Sequence, residues 1–151
     1  MINMYSQEGI QDIVTRINML KSNALPLWGR MNASQMLAHC NIAYQYVFEP
    51  EKFEKPNFIK RFILKKAIKK FVLSENPYPR NSRTSLEFII TDFRDFDSEK
   101  QKLIDNILKV QKLGDTFFEQ KENLSFGKLS AKEWNILFSK HIEHHLKQFN
   151  V

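Results

Sequence analysis

The stretch Ser130-Ala131-Lys132-Glu133, continued from Trp134 to Phe149 as WNILFSKHIEHHLKQF, decides the fold. Its first four residues match a capping box, in which the side chains of Ser130 and Glu133 each accept the backbone N–H of the other residue. Apolar residues then recur at spacings of three and four, the pattern of an amphipathic helix. The stretch therefore predicts a helix that begins after Ser130 and runs nearly to Val151.

Two histidines of this helix, His141 and His145, lie four residues apart and project from the same face. At about 100° per residue they lie about 40° apart near the middle of the apolar sector, and His144 lies at its edge. An unpaired polar group in a core costs about 1 to 3 kcal/mol. One shared metal ion would satisfy both side chains, so we interpret them as metal ligands, with hydrogen-bonded structural histidines as the alternative.

A third histidine, His39, lies on a second predicted helix that begins at a capping box of Asn32 and Gln35. It flanks the apolar stripe of that helix, and a lone core histidine is more often a hydrogen-bonded structural residue than a ligand. Three histidines without a fourth protein ligand leave coordination positions for water or substrate, as in catalytic zinc sites. The adjacent Cys40 points about 100° away, and we interpret it as a small buried hydrophobe.

The sequence lacks the familiar motifs of other metal and nucleophile sites. Residues 141–145 are not the His-Glu-x-x-His motif of zinc peptidases, because Ile142 follows His141 and Glu143 projects away from the ligand face. The chain has no Cys-x-x-Cys pair, Gly-rich phosphate loop or Gly-x-Ser-x-Gly elbow. These absences disfavour a peptidase, a redox dithiol and a nucleotide-binding loop.

The composition favours one all-α domain. A chain of 151 residues, 42% of them hydrophobic, can bury one core but not two, so residues 1–151 are expected to form a single domain. Only 4 Gly and 5 Pro favour long helices over a sandwich or barrel. One cysteine excludes an intramolecular disulfide framework. With no signal peptide and no bilayer-length apolar run visible, we expect a soluble cytoplasmic protein.

Two further helices follow from apolar periodicity and cap residues. The first is predicted from about Gln7 to Ser22. Another is predicted from about Glu99 to Gln111 or somewhat beyond, with Asp97 or Ser98 as its N-cap. Gly114 is then expected to stop or kink this helix.

A basic helix is predicted from about Asn57 to Leu73. Much of the net charge of +6 falls in Lys60–Lys70, where cations alternate with apolar residues at helical spacing. We expect a buried apolar stripe beneath a solvated lysine face. Its residues are Phe58, Phe62, Ile63, Ala67, Phe71 and Val72. A surface for anionic lipid or a nucleic-acid backbone is the second interpretation. For Leu86 to Phe96 the sequence allows two interpretations, a short extended segment or the approach to a helix.

Three stretches carry a resemblance to a known family. They are PLWGRMNASQMLAHC from Pro26 to Cys40, FGKLSAKEW from Phe126 to Trp134, and HIEHHLKQF from His141 to Phe149. Together they resemble an uncharacterised bacterial branch of the DinB/YfiT-like superfamily. The resemblance implies a four-helix bundle with the basic helix and the irregular segment after it inserted between the second and third bundle helices. It also implies a divalent metal held by a histidine triad, here His39, His141 and His145.

The resemblance implies a class of chemistry as well. Better-known relatives are metal-dependent enzymes that use low-molecular-weight thiols as S-transferases or isomerases, and some are linked to stress or detoxification. The expected function is a thiol-dependent S-transferase, or a hydrolase with a metal-activated nucleophile, using Zn²⁺ or Ni²⁺ on a small-molecule substrate. A non-catalytic, stress-related metal-binding protein is the alternative. Trp134 and Phe138 are candidates for the pocket lining, with the core as their other place. Bundles of this kind are often homodimers.

Overall fold

A computed structural model of the chain describes residues 1–151 and is mostly helical. The longer helices are α1 (Gln7–Met19), α2 (Ala33–Phe48), α5 (Phe96–Phe118) and α6 (Ala131–Gln148). Between α2 and α5 lie the short helices α3 (Phe58–Ile63) and α4 (Lys69–Val72), which a π-helical turn joins at Leu64–Ile68, and 3₁₀ turns at Pro50–Lys52 and Leu86–Phe88. The expected all-α class is supported, and none of the helices has the length and apolarity needed to cross a bilayer.

The four longer helices pack around one apolar core. Helix α5 contacts α1, α2 and α6, and α2 also contacts α6. The core is a cluster of 21 buried residues, and Trp134, Phe118 and Phe138 are the largest of its fully buried side chains. Their ring centroids lie 5.4 to 5.8 Å apart, in the range of favourable aromatic pairs. This aromatic group fixes the N-terminal half of α6 and so the direction in which its C-terminal half, with the histidines, runs.

Cap residues set the helix ends at the two predicted positions. Asn32 and Gln35 form the capping box of α2, and Ser130 and Glu133 form that of α6. Just before α6, β1 (Lys121–Asn123) pairs with β2 (Gly127–Leu129) in an antiparallel hairpin that the sequence did not predict. The Asn123 side chain accepts the backbone N–H groups of the turn, which gives this hairpin its own local stabilisation.

Other helix ends differ from the predicted ones. Helix α1 ends at Met19 rather than Ser22, because Leu20 adopts an extended conformation that carries its side chain into the core. The N-cap of α5 is Asp95, whose carboxylate accepts the Ser98 N–H. Gly114, with a φ of 71°, kinks α5 without ending it.

The prediction that the basic helix buries an apolar stripe is wrong. Phe58 is 84% exposed, Phe62 and Ile63 are each 55% exposed, and no residue from Phe58 to Val72 is buried. The segment rests on the rest of the chain largely through cations, by ion pairs from Arg61 to Glu122 and from Lys69 to Glu133. With cations turned inward, part of the apolar face points to solvent. We call residues 58–72 the roof segment, because they cover a cavity described below.

Lys140 of α6 anchors the C-terminal end of the roof segment. Its ammonium group donates to the carbonyl oxygens of Phe71, Val72 and Ser74 at 2.9, 3.3 and 3.0 Å. These include carbonyls at the end of α4, which lack partners within the helix and attract a cation. The side chain is 5% exposed, so one buried cation fixes the roof to the residue before His141.

A buried polar contact holds α2 against α5. The Asn41 amide donates to the Glu99 carboxylate at 2.8 Å and to the Glu99 carbonyl at 3.0 Å, and it accepts from Asn106 at 3.1 Å. Asn41 and Glu99 are both buried, where a satisfied polar network specifies one arrangement of the helices. Because His39 lies two residues before Asn41, this contact also fixes the position of His39.

Candidate metal centre

The packing of α2 against α6 brings together the three histidines that the sequence singled out. Nε2 of His39 lies 3.0 Å from Nε2 of His141, and the ring centroids of His39 and His145 are 4.6 Å apart. One nitrogen from each side chain lies within 4.8 Å of those of the other two, so the group could hold a metal ion. His39 and His145 are buried, and His141 is partly exposed.

Hydrogen bonds fix the tautomers of two of these rings. Nδ1 of His39 lies 2.8 Å from the carbonyl oxygen of Phe88, which can only accept, so Nδ1 carries the proton and Nε2 has a free lone pair. Nδ1 of His145 donates in the same way to Oε1 of Gln148 at 2.8 Å. The Gln148 amide is itself oriented, because its Nε2 donates to the Trp28 carbonyl at 2.7 Å. Such contacts typically orient metal-ligating histidines.

The nitrogen positions suit a small divalent ion. Zinc–nitrogen distances are about 2.0 to 2.1 Å in tetrahedral sites, so two imidazole nitrogens on one ion are roughly 3.3 Å apart. The separation of 3.0 Å between His39 and His141 is close to that value. The three imidazoles and the His39–His141 separation therefore fit a metal ion, and His141 is the one ring of the three whose Nδ1 has no hydrogen-bond acceptor.

Burial keeps these imidazoles neutral. Desolvation lowers the pKa of His39, and it lowers the pKa of His141 well below the usual value, with the neighbouring histidines adding to the shift at His141. For His145, burial and then His39 lower the pKa to about 3. Neutral imidazole is the form that binds metal ions, so at neutral pH metal binding requires no net loss of a proton.

A cavity of about 990 Å³ adjoins the histidines, beneath the roof segment. Its size is that of a pocket for a small organic molecule. All four histidines of the chain contribute to its wall. Its apolar and aromatic lining residues include Trp28, Tyr46, Leu64, Ile68, Phe71, Tyr78, Phe88, Phe126 and Leu137. The wall thus combines an apolar surface with one cluster of nitrogen donors.

The remaining predicted site residues lie in different places. His144 is in the cavity wall, edge-on to the rings of Trp28 and Tyr78, and outside the metal-competent group. This agrees with its phase at the edge of the apolar sector. Trp134 and Phe138 do not line the cavity and are fully buried in the core. Trp134 lies about two helical turns and Phe138 about one turn before His141 on α6, so both contact Phe118 rather than His39.

Sequence reasoning missed the groups that orient the rings. Gln148 follows His145 at a spacing of three, so helical spacing alone could have identified it as a neighbour. Phe88 acts through its backbone carbonyl, which any residue type supplies, and it belongs to the segment that the sequence left open. No sequence signal exists for such a contact.

Acidification is expected to destabilise the metal-free protein. The folded-state pKa values of these histidines lie below the unfolded value near 6.5, so the unfolded chain binds more protons as the pH falls below that value. Their stabilising contribution is full above about pH 6.5 and is lost at lower pH, by up to about 1.4 kcal/mol per pH unit for each histidine. Urea unfolding between pH 7 and 5 measures this slope.

His145→Leu is the matched variant for this experiment. Carboxylate titrations are common to both proteins, so the difference between the two slopes isolates one histidine. The variant should show a shallower pH dependence by up to about 1.4 kcal/mol per unit. Identical slopes would mean that His145 is protonated alike in the folded and unfolded chains.

One protein-family model matches nearly the whole of this chain. The family model described as "Protein of unknown function (DUF1569)" matches residues 5–151, a range that contains His39, His141, His145 and Gln148. No curated protein matches the chain, and no solved structure does. The chain therefore belongs to the DUF1569 family of proteins of unknown function.

Proposed function

We propose that this protein is a divalent-metal-dependent enzyme that acts on a small molecule, with His39, His141 and His145 as the metal ligands. The observation that carries the proposal is the group of three histidine nitrogens within 4.8 Å at the wall of a cavity of about 990 Å³. Three protein ligands leave coordination positions for water or substrate, as in catalytic zinc sites. A structural zinc site, by contrast, is usually closed by four protein ligands.

We propose further that the DUF1569 family belongs to the DinB/YfiT-like superfamily. In support, α1, α2, α5 and α6 pack on one another, and the roof segment is inserted between the second and third of these helices. One histidine on the second helix and two at a spacing of four on the last repeat the ligand positions that the resemblance implies. We accordingly propose a four-helix bundle of that type.

The proposed ion is Zn²⁺ or Ni²⁺, since imidazole nitrogen suits both. When bound, such an ion would lower the pKa of a thiol or water and supply a strong nucleophile near neutral pH. Both S-transfer and hydrolysis require such a nucleophile. Phe88 and Gln148 hold the imidazoles of His39 and His145 in the required tautomers, and Leu64, Ile68 and Phe71 of the roof segment form part of the cavity wall.

A thiol used at this site would come from outside the protein. The one thiol of the chain, on Cys40, is 1% exposed, and burial raises its pKa. It is also absent from the cavity wall, so it offers neither thiolate nor access. Arg30 and Arg83 line the cavity without an ion-pair partner and would suit a negatively charged group on a small thiol or on the substrate.

Metal loading tests the ligand set. After purification and reloading with Zn²⁺ or Ni²⁺, elemental analysis should find about one ion per chain, the number that one three-histidine site holds. His141→Ala and His145→Ala should each bind far less. His144→Ala is the matched control, since it removes an imidazole from the same helix and cavity but should leave loading unchanged. Loading below about half an ion per chain in the unaltered protein would refute the site.

Removal of the Gln148 acceptor should weaken the ion's binding without removing a ligand. Gln148→Leu frees Nδ1 of His145, so we expect metal affinity to fall about 10- to 100-fold. Gln45→Leu is the control, because it makes the same substitution on α2 at a partly buried residue outside the cavity wall. Titration against a competing chelator measures the metal affinity of the two variants and of the unaltered protein. Equal affinities would show that Gln148 has no part in the site.

Catalysis is tested by turnover. The metal-loaded protein, assayed with several low-molecular-weight thiols and electrophiles and with ester or amide substrates, should show turnover that His141→Ala abolishes. Cys40→Ser should retain it, because the thiol of the reaction is external; loss of activity in that variant without loss of folding would contradict this. Full metal loading without any turnover would favour a non-catalytic metal-binding protein.

A further inference from the structure

The net charge of the chain is concentrated in one segment. Residues 57–73 contain six lysines and arginines and no aspartate or glutamate. The whole chain has 23 basic and 17 acidic residues, so the part outside this segment has 17 of each sign and no net charge. The entire charge of +6 therefore lies on and beside the roof segment, as a local positive surface on an otherwise balanced protein.

The outer face of the roof segment is also apolar. Phe58 and Ile59 are 84% and 70% exposed, and Phe62 and Ile63, one turn later, are each 55% exposed. Lys66 and Lys70 continue the same face at spacings of four from Phe62. Four large exposed apolar residues in adjacent turns are unusual on a monomer, and such patches generally mark interaction sites.

The outer face of the roof segment does not hold the segment on the rest of the chain. Lys60, Arg61 and Lys69 pair with acidic residues of the body, whereas Lys66 and Lys70 have no ion-pair partner. The Lys60–Glu87 pair also places the next exposed apolar residues, Leu86 and Ile89, beside α3. The inward cations hold the segment in place, so the outward residues are free to bind something else.

We propose that this outer face, which runs from Phe58 to Lys70, docks the protein on the surface of an anionic phospholipid bilayer. Phe58, Ile59, Phe62 and Ile63 insert among the acyl chains, and Lys66 and Lys70 lie against the negatively charged headgroups. An amphipathic helix that combines aromatic and aliphatic residues with lysines binds in the plane of a membrane interface in this way.

Charge and chemistry favour a bilayer over the other occupants. A second copy docked by the same face would bring two surfaces of like charge together, which costs free energy. A nucleic-acid backbone would satisfy the lysines but would leave the aliphatic Ile59 and Ile63 in contact with phosphates and water. An anionic bilayer offers negative charge at the surface and hydrocarbon beneath it, which matches both components.

The inner face of the same segment supplies Leu64, Ile68 and Phe71 to the cavity wall. Docking would therefore bring the cavity to within one helix diameter of the lipid. The proposal stands on the outer face alone, so it does not depend on a metal or on catalysis at the histidines. Failure of the proposed enzyme activity would leave it untouched.

Vesicle flotation with the full chain tests the proposal. The protein should float with vesicles of phosphatidylcholine and phosphatidylglycerol at about 0.1 M salt, should not float with phosphatidylcholine alone, and should be released at about 1 M salt. Lys66→Gln with Lys70→Gln should lower the partition coefficient about five-fold per lysine. Phe58→Ser with Phe62→Ser should lower it further, because the insertion energy is lost.

Matched control variants distinguish binding through the outer face of the roof segment from a general effect of net charge or surface hydrophobicity. Lys21→Gln with Lys112→Gln removes two exposed cations elsewhere, and Met19→Ser with Leu25→Ser removes two exposed apolar side chains elsewhere. Neither pair should change flotation. Circular dichroism should show the same helix content in every variant, since each altered side chain is largely exposed. Phe62→Trp should add an emission component that vesicles with brominated acyl chains quench.

Three results would overturn the proposal. Equal partition of the test and control variants would show that the roof segment is not the binding face. Tighter binding to single-stranded nucleic acid than to anionic vesicles would assign the lysines to that partner. Self-association that Phe58→Ser with Phe62→Ser abolishes, without any flotation, would assign the face to a second copy of the chain.

Discussion

The site depends on three neutral imidazoles side by side between α2 and α6, those of His39 and His145 buried and that of His141 partly exposed. Burying an imidazole in a protein interior costs free energy unless each of its ring nitrogens has a hydrogen-bond or metal partner. Phe88 and Gln148 provide acceptors for two of the Nδ1 atoms, which leaves Nε2 nitrogens gathered at one point. The surrounding fold, from the Asn41–Glu99 contact to the aromatic group at the N-terminal half of α6, holds these rings in register.

The predictable part of the structure came from signals that are local in sequence. The capping boxes at Asn32 and Ser130 depend only on residues three apart, and both are present. The pairing of His141 with His145 follows from one helical turn, whereas His39 was a ligand candidate mainly because of the family resemblance. Its approach to α6 is a long-range packing event that periodicity on a single helix does not encode.

The unpredictable part shares a physical cause. For the roof segment, helical periodicity correctly indicated an amphipathic helix but not which face rests on the protein, because Glu122 and Glu133 attract its cations inward. At α5, Asp95, Asp97 and Ser98 are all suitable caps, and the chain's path before the helix selected Asp95. Phe88 contributes a carbonyl that every residue has. In each case a tertiary contact that the local sequence does not encode decided the outcome.

Lys140 gives the roof segment unequal ends. At its C-terminal end one buried ammonium group donates to three carbonyl oxygens, while the N-terminal end is held by ion pairs that are partly open to water and to salt. The N-terminal end of this cover is therefore the more weakly attached one, and any opening would begin there. Such an opening would lie beside Asn57 and Glu87, while Lys140, the last attachment to be released, directly precedes His141 in the chain.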